Sequence, residues 1–182
     1  MKRKNILIGI TGGIAAYKAC SLVGKLIKEG YDVRIIMTPA AIKFVGPLTL
    51  QALTNHAVYV NMFEIINTEE VEHIALAKWA DLFVLAPASA NTISKLAHGI
   101  CDNLLLTVIM ALPSKTKVLI APAMNTEMWN NPIIKNNVTI LKSFNKYNFI
   151  DTRVGTLACR DQGAGKIADN ESIIKEIKKI LK

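Results

Sequence analysis

Three runs of small and hydroxyl residues each follow a short apolar stretch: Gly9-Ile10-Thr11-Gly12-Gly13-Ile14, Pro87-Ala88-Ser89-Ala90-Asn91-Thr92 and Pro122-Ala123-Met124-Asn125. The first places a hydroxyl and two glycines where a helix begins. Unpaired N–H groups and the helix dipole at such a point favour a phosphate. The spacing is neither GxGxxG nor a Walker A loop, and a plain tight turn would use the same residues. A dinucleotide site wants an acid at the end of the second strand to hold a ribose hydroxyl. Here that stretch ends Ile35-Ile36-Met37-Thr38-Pro39, and Asp32 lies at its other end. The pattern therefore suits a mononucleotide such as FMN over NAD. Thr38 and the Ser89–Thr92 run add neutral donors for a phosphate or a flavin edge.

The thiols separate into two kinds. Three cysteines occur, Cys20, Cys101 and Cys159, far apart and without a CxxC pair. That excludes a disulfide scaffold and a cysteine-rich zinc site, and no metal is expected. Cys20 and Cys101 read as ordinary packing cysteines. Cys159 sits in a polar segment, Asp151–Asp169, that also holds Gly155, Gly163 and Gly165. Such a segment could close over a substrate and exclude water.

These turns must be held by regular elements. Asn5–Ile10, Val33–Met37, Leu82–Ala86 and Lys117–Ala121 are short apolar runs bounded by glycine or proline, and read as buried strands. Ile14–Glu29, Pro47–Leu53, His73–Trp79, Asn91–His98, Asn103–Ala111, Pro132–Lys142 and Asn170–Lys182 carry helical spacing. Gly30 closes the first helix and a proline opens the sixth. Alternating strands and helices predict an α/β fold: a single-domain, doubly wound parallel sheet of Rossmann or flavodoxin-like type, in three layers. Ligands bind beyond the carboxyl ends of such strands, so the three turns should line one site.

Of the 182 residues, 51% are apolar and 20% charged, enough for a buried core and too few charges for a disordered chain. The formal net charge is +8. The lysines are scattered, with small clusters at Lys2, Arg3, Lys4 and at Lys175, Lys178, Lys179, Lys182. They read as solvated faces, and no nucleic-acid signature accompanies them. Small anionic molecules are the expected partners, with no nucleic acid and no membrane. No apolar run reaches transmembrane length. The basic start lacks a small-residue cleavage site, so the expected compartment is the cytoplasm.

Five segments in order resemble the homo-oligomeric flavin-containing cysteine decarboxylases: GITGGIAAYK (Gly9–Lys18), EHIALAKWAD (Glu72–Asp81), PASANTISKLAHGICDNLL (Pro87–Leu105), PAMNTEMW (Pro122–Trp129) and GTLACRDQGAGKIAD (Gly155–Asp169). The resemblance covers nearly the whole chain and is strongest to the branch acting on phosphopantothenoylcysteine. Flavin prenyltransferases share only the opening, whereas peptidyl-cysteine decarboxylases share more. The resemblance implies removal of CO2 from 4'-phosphopantothenoylcysteine to give 4'-phosphopantetheine in coenzyme A biosynthesis, with noncovalent FMN. A peptidyl-cysteine substrate, or flavin binding without catalysis, is the alternative.

Carried over from the family, Gly12, Gly13, Ile14, Thr38, Ala40, Ser89, Ala90, Asn91, Thr92 and Ala123 are the FMN contacts. Relatives often have serine where Ala40 stands. His73 matches the active-site histidine; an imidazole titrating near ~6.5 suits a base for a thiol or a partner for its thiolate. Cys159 matches the catalytic cysteine. A thiol with a pKa near ~8.5 is mostly protonated at neutral pH and can donate a proton. Asn125 matches the substrate-binding asparagine, although an asparagine before the TEMW turn also reads as a helix cap. Thr156, Leu157 and Ala158 would contribute flap backbone to the substrate, and Lys166 a cation for its phosphate. Arg160 stands where many relatives have glycine. The family also implies a homo-oligomer built from trimers, with active sites shared between subunits. The apolar Leu104–Leu112 stretch is a candidate contact. With the chain ending at Lys182, the phosphopantothenate–cysteine ligase is expected to be a separate polypeptide.

Overall fold

The computed structural model describes residues 3–63, 72–156, 158 and 162–182. Six parallel strands form one sheet: β1 (Asn5–Ile10), β2 (Asp32–Met37), β3 (Val58–Tyr59), β4 (Leu82–Ala88), β5 (Lys117–Pro122) and β6 (Tyr147–Phe149), in the order β3-β2-β1-β4-β5-β6. This is the doubly wound order, and without the two-residue β3 it reduces to the flavodoxin order. The direction of winding reverses between β1 and β4. A crevice therefore opens beyond their carboxyl ends, next to Thr11 and Pro87.

Alternation along the strands divides the core in two. Ile6, Ile8, Ile35, Val84 and Leu119 face one side. There they pack on Leu22, Val23 and Leu26 of α1 (Tyr17–Lys28), Leu50 of α2 (Pro47–Thr54), and Ile173, Ile174 and Ile177 of α8 (Asn170–Ile180). Leu7, Phe83, Leu85, Val118 and Ile120 face the other. They meet Leu76 and Ala77 of α3 (Glu72–Trp79), Ile93 and Leu96 of α4 (Ala90–Ala97), α5 (Leu104–Ala111), and Val138 and Leu141 of α7 (Pro132–Lys142). Every residue of β4 is buried, as a strand covered on both faces must be. α3 is further fixed by the Arg34 guanidinium, 4.4 Å from the centre of the Trp79 ring.

The main expectations hold, with local differences. Ile14–Ala16 form a 3-10 turn before α1 starts at Tyr17. β4 runs through Pro87 to Ala88, where Pro87 was expected to break it; the register with β5 shifts between Leu85 and Ala88. A proline at a strand irregularity removes no ladder bond the sheet needs. The edge strands β3 and β6 were not read, because two or three residues carry no periodicity. Leu104, Leu105, Leu106, Val108, Ile109 and Leu112 are buried in the second core, so this stretch is not an exposed apolar face. A short helix α6 (Thr126–Asn130) follows β5. The polar segment before α8 contains an antiparallel hairpin, β7 (Arg153–Thr156) with β8 (Gln162–Lys166), separate from the main sheet. No helix of the described residues is long and apolar enough to cross a membrane.

Candidate active site

Thr11 ties the crevice together. It is buried, its hydroxyl donates to the Pro87 carbonyl at 2.8 Å, and its Oγ1 accepts from the Ser89 N–H at 2.8 Å. The hydroxyl that the sequence offered to a phosphate is thus spent on joining the turns after β1 and β4. What remains for an anion is the backbone of Ile14 and Ala15, since the Ala16 N–H already donates to the Gly13 carbonyl at 3.0 Å. Gly12 lets this turn sit low. A Cβ added there would stand 2.5 Å from the Ala40 methyl, so only glycine permits the turns after β1 and β2 to meet. Thr38 is also structural in part. Its Oγ1 accepts from the Ala41 N–H at 3.2 Å, and its own N–H donates to the Ile10 carbonyl at 3.0 Å.

Ser89 caps α4, its Oγ accepting from the Thr92 N–H at 3.4 Å and lying 3.1 Å from Thr92 Oγ1. Ala90 and Thr92 are buried and Asn91 is exposed, which leaves the Asn91 amide toward solvent at the start of α4. Asn125 caps α6: its Oδ1 accepts from the Glu127 N–H at 2.8 Å. The cap holds the carbonyl end of the amide, so donation to a carboxylate falls to Nδ2. The cap reading of Asn125 therefore holds, and its amide also lies on the cleft.

The hairpin is pinned to the turn between β5 and α6. The Met124 N–H donates to the Gly165 carbonyl at 3.0 Å, and Thr126 Oγ1 donates to the Ala164 carbonyl at 2.8 Å. Gly165 has φ +109°, and a Cβ there would meet the Met124 carbonyl oxygen at 2.4 Å. At the far end, Gln162 Nε2 donates to Thr156 Oγ1 at 2.8 Å. The hairpin thus stands over the crevice as a wall.

The result is a cleft of about 550 Å³. It collects Gly12, Gly13 and Ile14 from the first turn, Ala123 and Asn125 after β5, and Thr156, Ala158 and Lys166 from the hairpin, all of them expected site residues. Thr38, Ala40 and Ser89–Thr92 lie in the adjoining turns and do not line it. Leu157 and Cys159 lie outside the described residues. His73 is half-buried on α3, which packs on the opposite face of the sheet from α1 and α8, so the cleft of the same chain does not receive it. Sequence reasoning missed Tyr17 and Lys18, which also line the cleft. Lys18 stands four residues after Ile14, and that spacing was the available signal. Burial first, then the nearby charges of Lys166 and Arg153, pull the Lys18 ammonium below its usual pKa. Among the described residues no aspartate or glutamate lines the cleft, and no cluster of histidine, cysteine or carboxylate side chains could hold a metal. Low-lying glycine backbone and a described lining without a carboxylate suit a flavin mononucleotide.

Comparison with known proteins agrees with this geometry. The chain is 48% identical over 178 residues to a probable phosphopantothenoylcysteine decarboxylase of Streptococcus mutans, covering 98% of this chain and 99% of that one. It is 45% identical to the coenzyme A biosynthesis bifunctional protein CoaBC of Bacillus subtilis, where the match covers 96% of this chain and 42% of the longer protein. Among solved structures, a cysteine-to-serine mutant of PPC decarboxylase complexed with pantothenoylaminoethenethiol superposes with a TM-score of 0.87 at 32% identity, covering 97% of each chain. The FMN-dependent cysteine decarboxylase SpaF gives 0.83 at 28% identity, over 98% of each. The family model described as Flavoprotein matches residues 1–182. The chain belongs to the flavoprotein family whose relatives include these decarboxylases.

Proposed function

We propose that the chain is an FMN-dependent carboxy-lyase of coenzyme A biosynthesis that converts 4'-phosphopantothenoylcysteine to 4'-phosphopantetheine. One observation supports this reading: the glycine turn after β1, Ala123 and Asn125 after β5, and the hairpin line one cleft. When bound, the flavin supplies reversible two-electron oxidation of the substrate's thiol-bearing carbon, so that the carboxylate becomes β to a C=S group and CO2 can leave.

The protein's own groups bind, orient and move protons. Gly12, Gly13, Ile14 and Ala123 approach the cofactor with backbone, and Thr38, Ala40 and Ser89–Thr92 complete its bed. Asn125 Nδ2 would donate to the carboxylate and orient it. Being neutral, it does not stabilise the charge that must be lost. The backbone of Thr156, Leu157 and Ala158 holds the substrate chain. An imidazole nitrogen of His73 takes the substrate thiol proton, and Cys159 Sγ gives the proton that completes the product. Because α3 lies across the sheet from the cleft, His73 is proposed to serve the cleft of a neighbouring subunit, in an assembly built from trimers. A cytoplasmic location goes with this reading. The free thiols Cys20 and Cys101 fit a reducing compartment.

Mixing the yellow, FMN-loaded protein with 4'-phosphopantothenoylcysteine should release CO2 and yield 4'-phosphopantetheine by mass. A peptide ending in cysteine should react far more slowly. Preference for the peptide, or flavin binding with no CO2 from either, would reject the reading.

A further inference from the structure

Two ammonium groups face the cleft from opposite walls. Lys18 rises from the first turn of α1, and Lys166 ends β8 on the hairpin. Lys166 lies across Gly155 of the paired strand: both its Cδ and its Nζ are 3.5 Å from where a Cβ on Gly155 would stand. A Cβ at that position would only touch the lysine at ordinary van der Waals distance. Arg153, which pairs with Lys166 in the hairpin register, is already engaged, its guanidinium donating to the Asp169 carboxylate at 3.1 Å. Neither lysine has a carboxylate partner among the described residues. Like charges brought together in a half-enclosed cleft that no carboxylate among the described residues lines repel each other unless an anion joins them. The Coulombic influence of Lys166 on Lys18 is one expression of that proximity.

We propose that Lys18 and Lys166 form the subsite for the substrate's phosphate, and that this pair makes the cleft select phosphorylated cysteine conjugates over unphosphorylated ones. The inference rests on the decarboxylase reading above and extends it to substrate choice. A phosphate dianion between two ammonium groups makes charge-assisted hydrogen bonds to both walls. It also draws the hairpin toward α1, so the phosphate end of the substrate bridges wall and floor while its cysteine end lies by Asn125. The phosphate of FMN has the same chemistry, and the test separates the two sources.

The test compares wild type with Lys18→Met, Lys166→Met and Lys18→Arg, using 4'-phosphopantothenoylcysteine and pantothenoylcysteine, with bound FMN measured by absorbance. The ratio of kcat/KM for the phosphorylated over the unphosphorylated substrate should fall on the order of 10- to 100-fold in each methionine variant. FMN content should stay at the wild-type value, and Lys18→Arg should recover most of the ratio. An unmoved ratio with FMN retained would overturn the proposal. Loss of FMN in either methionine variant would overturn it too, assigning that lysine to the cofactor. If wild type decarboxylates neither compound, the functional reading itself falls, an outcome distinct from an active enzyme with an unmoved ratio.

Discussion

Cys159 and His73 carry opposite ends of the proposed reaction, and single substitutions should separate them. With Cys159→Ser, binding, oxidation and CO2 loss should survive, while the final protonation stalls because serine is a far weaker acid. Anaerobic mixing should then leave the flavin reduced after one turnover, with the enethiol accumulating. His73→Asn should leave the flavin oxidised and lower turnover by roughly 10²- to 10⁴-fold. Normal turnover by Cys159→Ser, or its failure before flavin reduction, would remove the proton-donor role. Thr11 belongs to a different class. Thr11→Val keeps its shape but leaves the Ser89 N–H without this acceptor and the Pro87 carbonyl with the Thr11 N–H alone, and should cost about 1–3 kcal/mol in denaturant unfolding and weaken FMN retention. Position was legible in part: the glycine turn, and Asn125, Thr156, Ala158 and Lys166 that the resemblance implied, all line the cleft. How a hydroxyl divides its bonds was not. Thr11 looks the same in sequence whether it serves a ligand or another turn, and the partners that decide lie 76 and 78 residues away.

Elements with strong periodicity could be read directly, because burial against a sheet imposes one apolar stripe. In α8 that stripe is Ile173, Ile174 and Ile177. The hairpin could not be read, since glycines and polar residues leave no stripe and its pairing depends on the turn after β5. The start of α8 gives a test at this scale. Asp169 caps it, its Oδ1 accepting from the Ser172 N–H at 2.8 Å, and Arg153 approaches its other oxygen. The Ser172 N–H above all, with Arg153 adding to it, holds the carboxyl below its ordinary pKa. A depressed carboxylate stabilises the fold above its unfolded pKa of ~3.9 and loses that contribution as pH falls through the folded value. Asp169→Ala should therefore cost about 1 kcal/mol at neutral pH. The gap to wild type should narrow below pH ~4. A gap that stays constant down to the acid transition would show that the cap acts without its charge.

Over the whole molecule, α3 packs on the opposite face of the sheet from α1 and α8 and His73 does not line the cleft, so the role proposed for His73 calls for a second copy. Ile14 and Tyr17, 57% and 59% exposed, leave apolar surface at the cleft for such a neighbour. Light scattering of the flavin-loaded protein should give a mass that is a multiple of three chains. Co-refolding His73→Asn with Cys159→Ser should restore part of the activity that each lacks, since some interfaces then pair an intact histidine with an intact cysteine. A monomer, or no recovery, would confine the site to one chain. The two sheets also differ in how their amide protons should exchange with heavy water. β1, β4 and β5 are bonded on both edges beneath helices, so their amides open only when the whole domain unfolds. β7 and β8 have only each other and a few bonds to the turn after β5. Their amides should exchange orders of magnitude sooner, through local opening. Exchange of that order would mean that the wall of the cleft opens without unfolding the bed beneath it, so that substrate could come and go over a cofactor that stays in place.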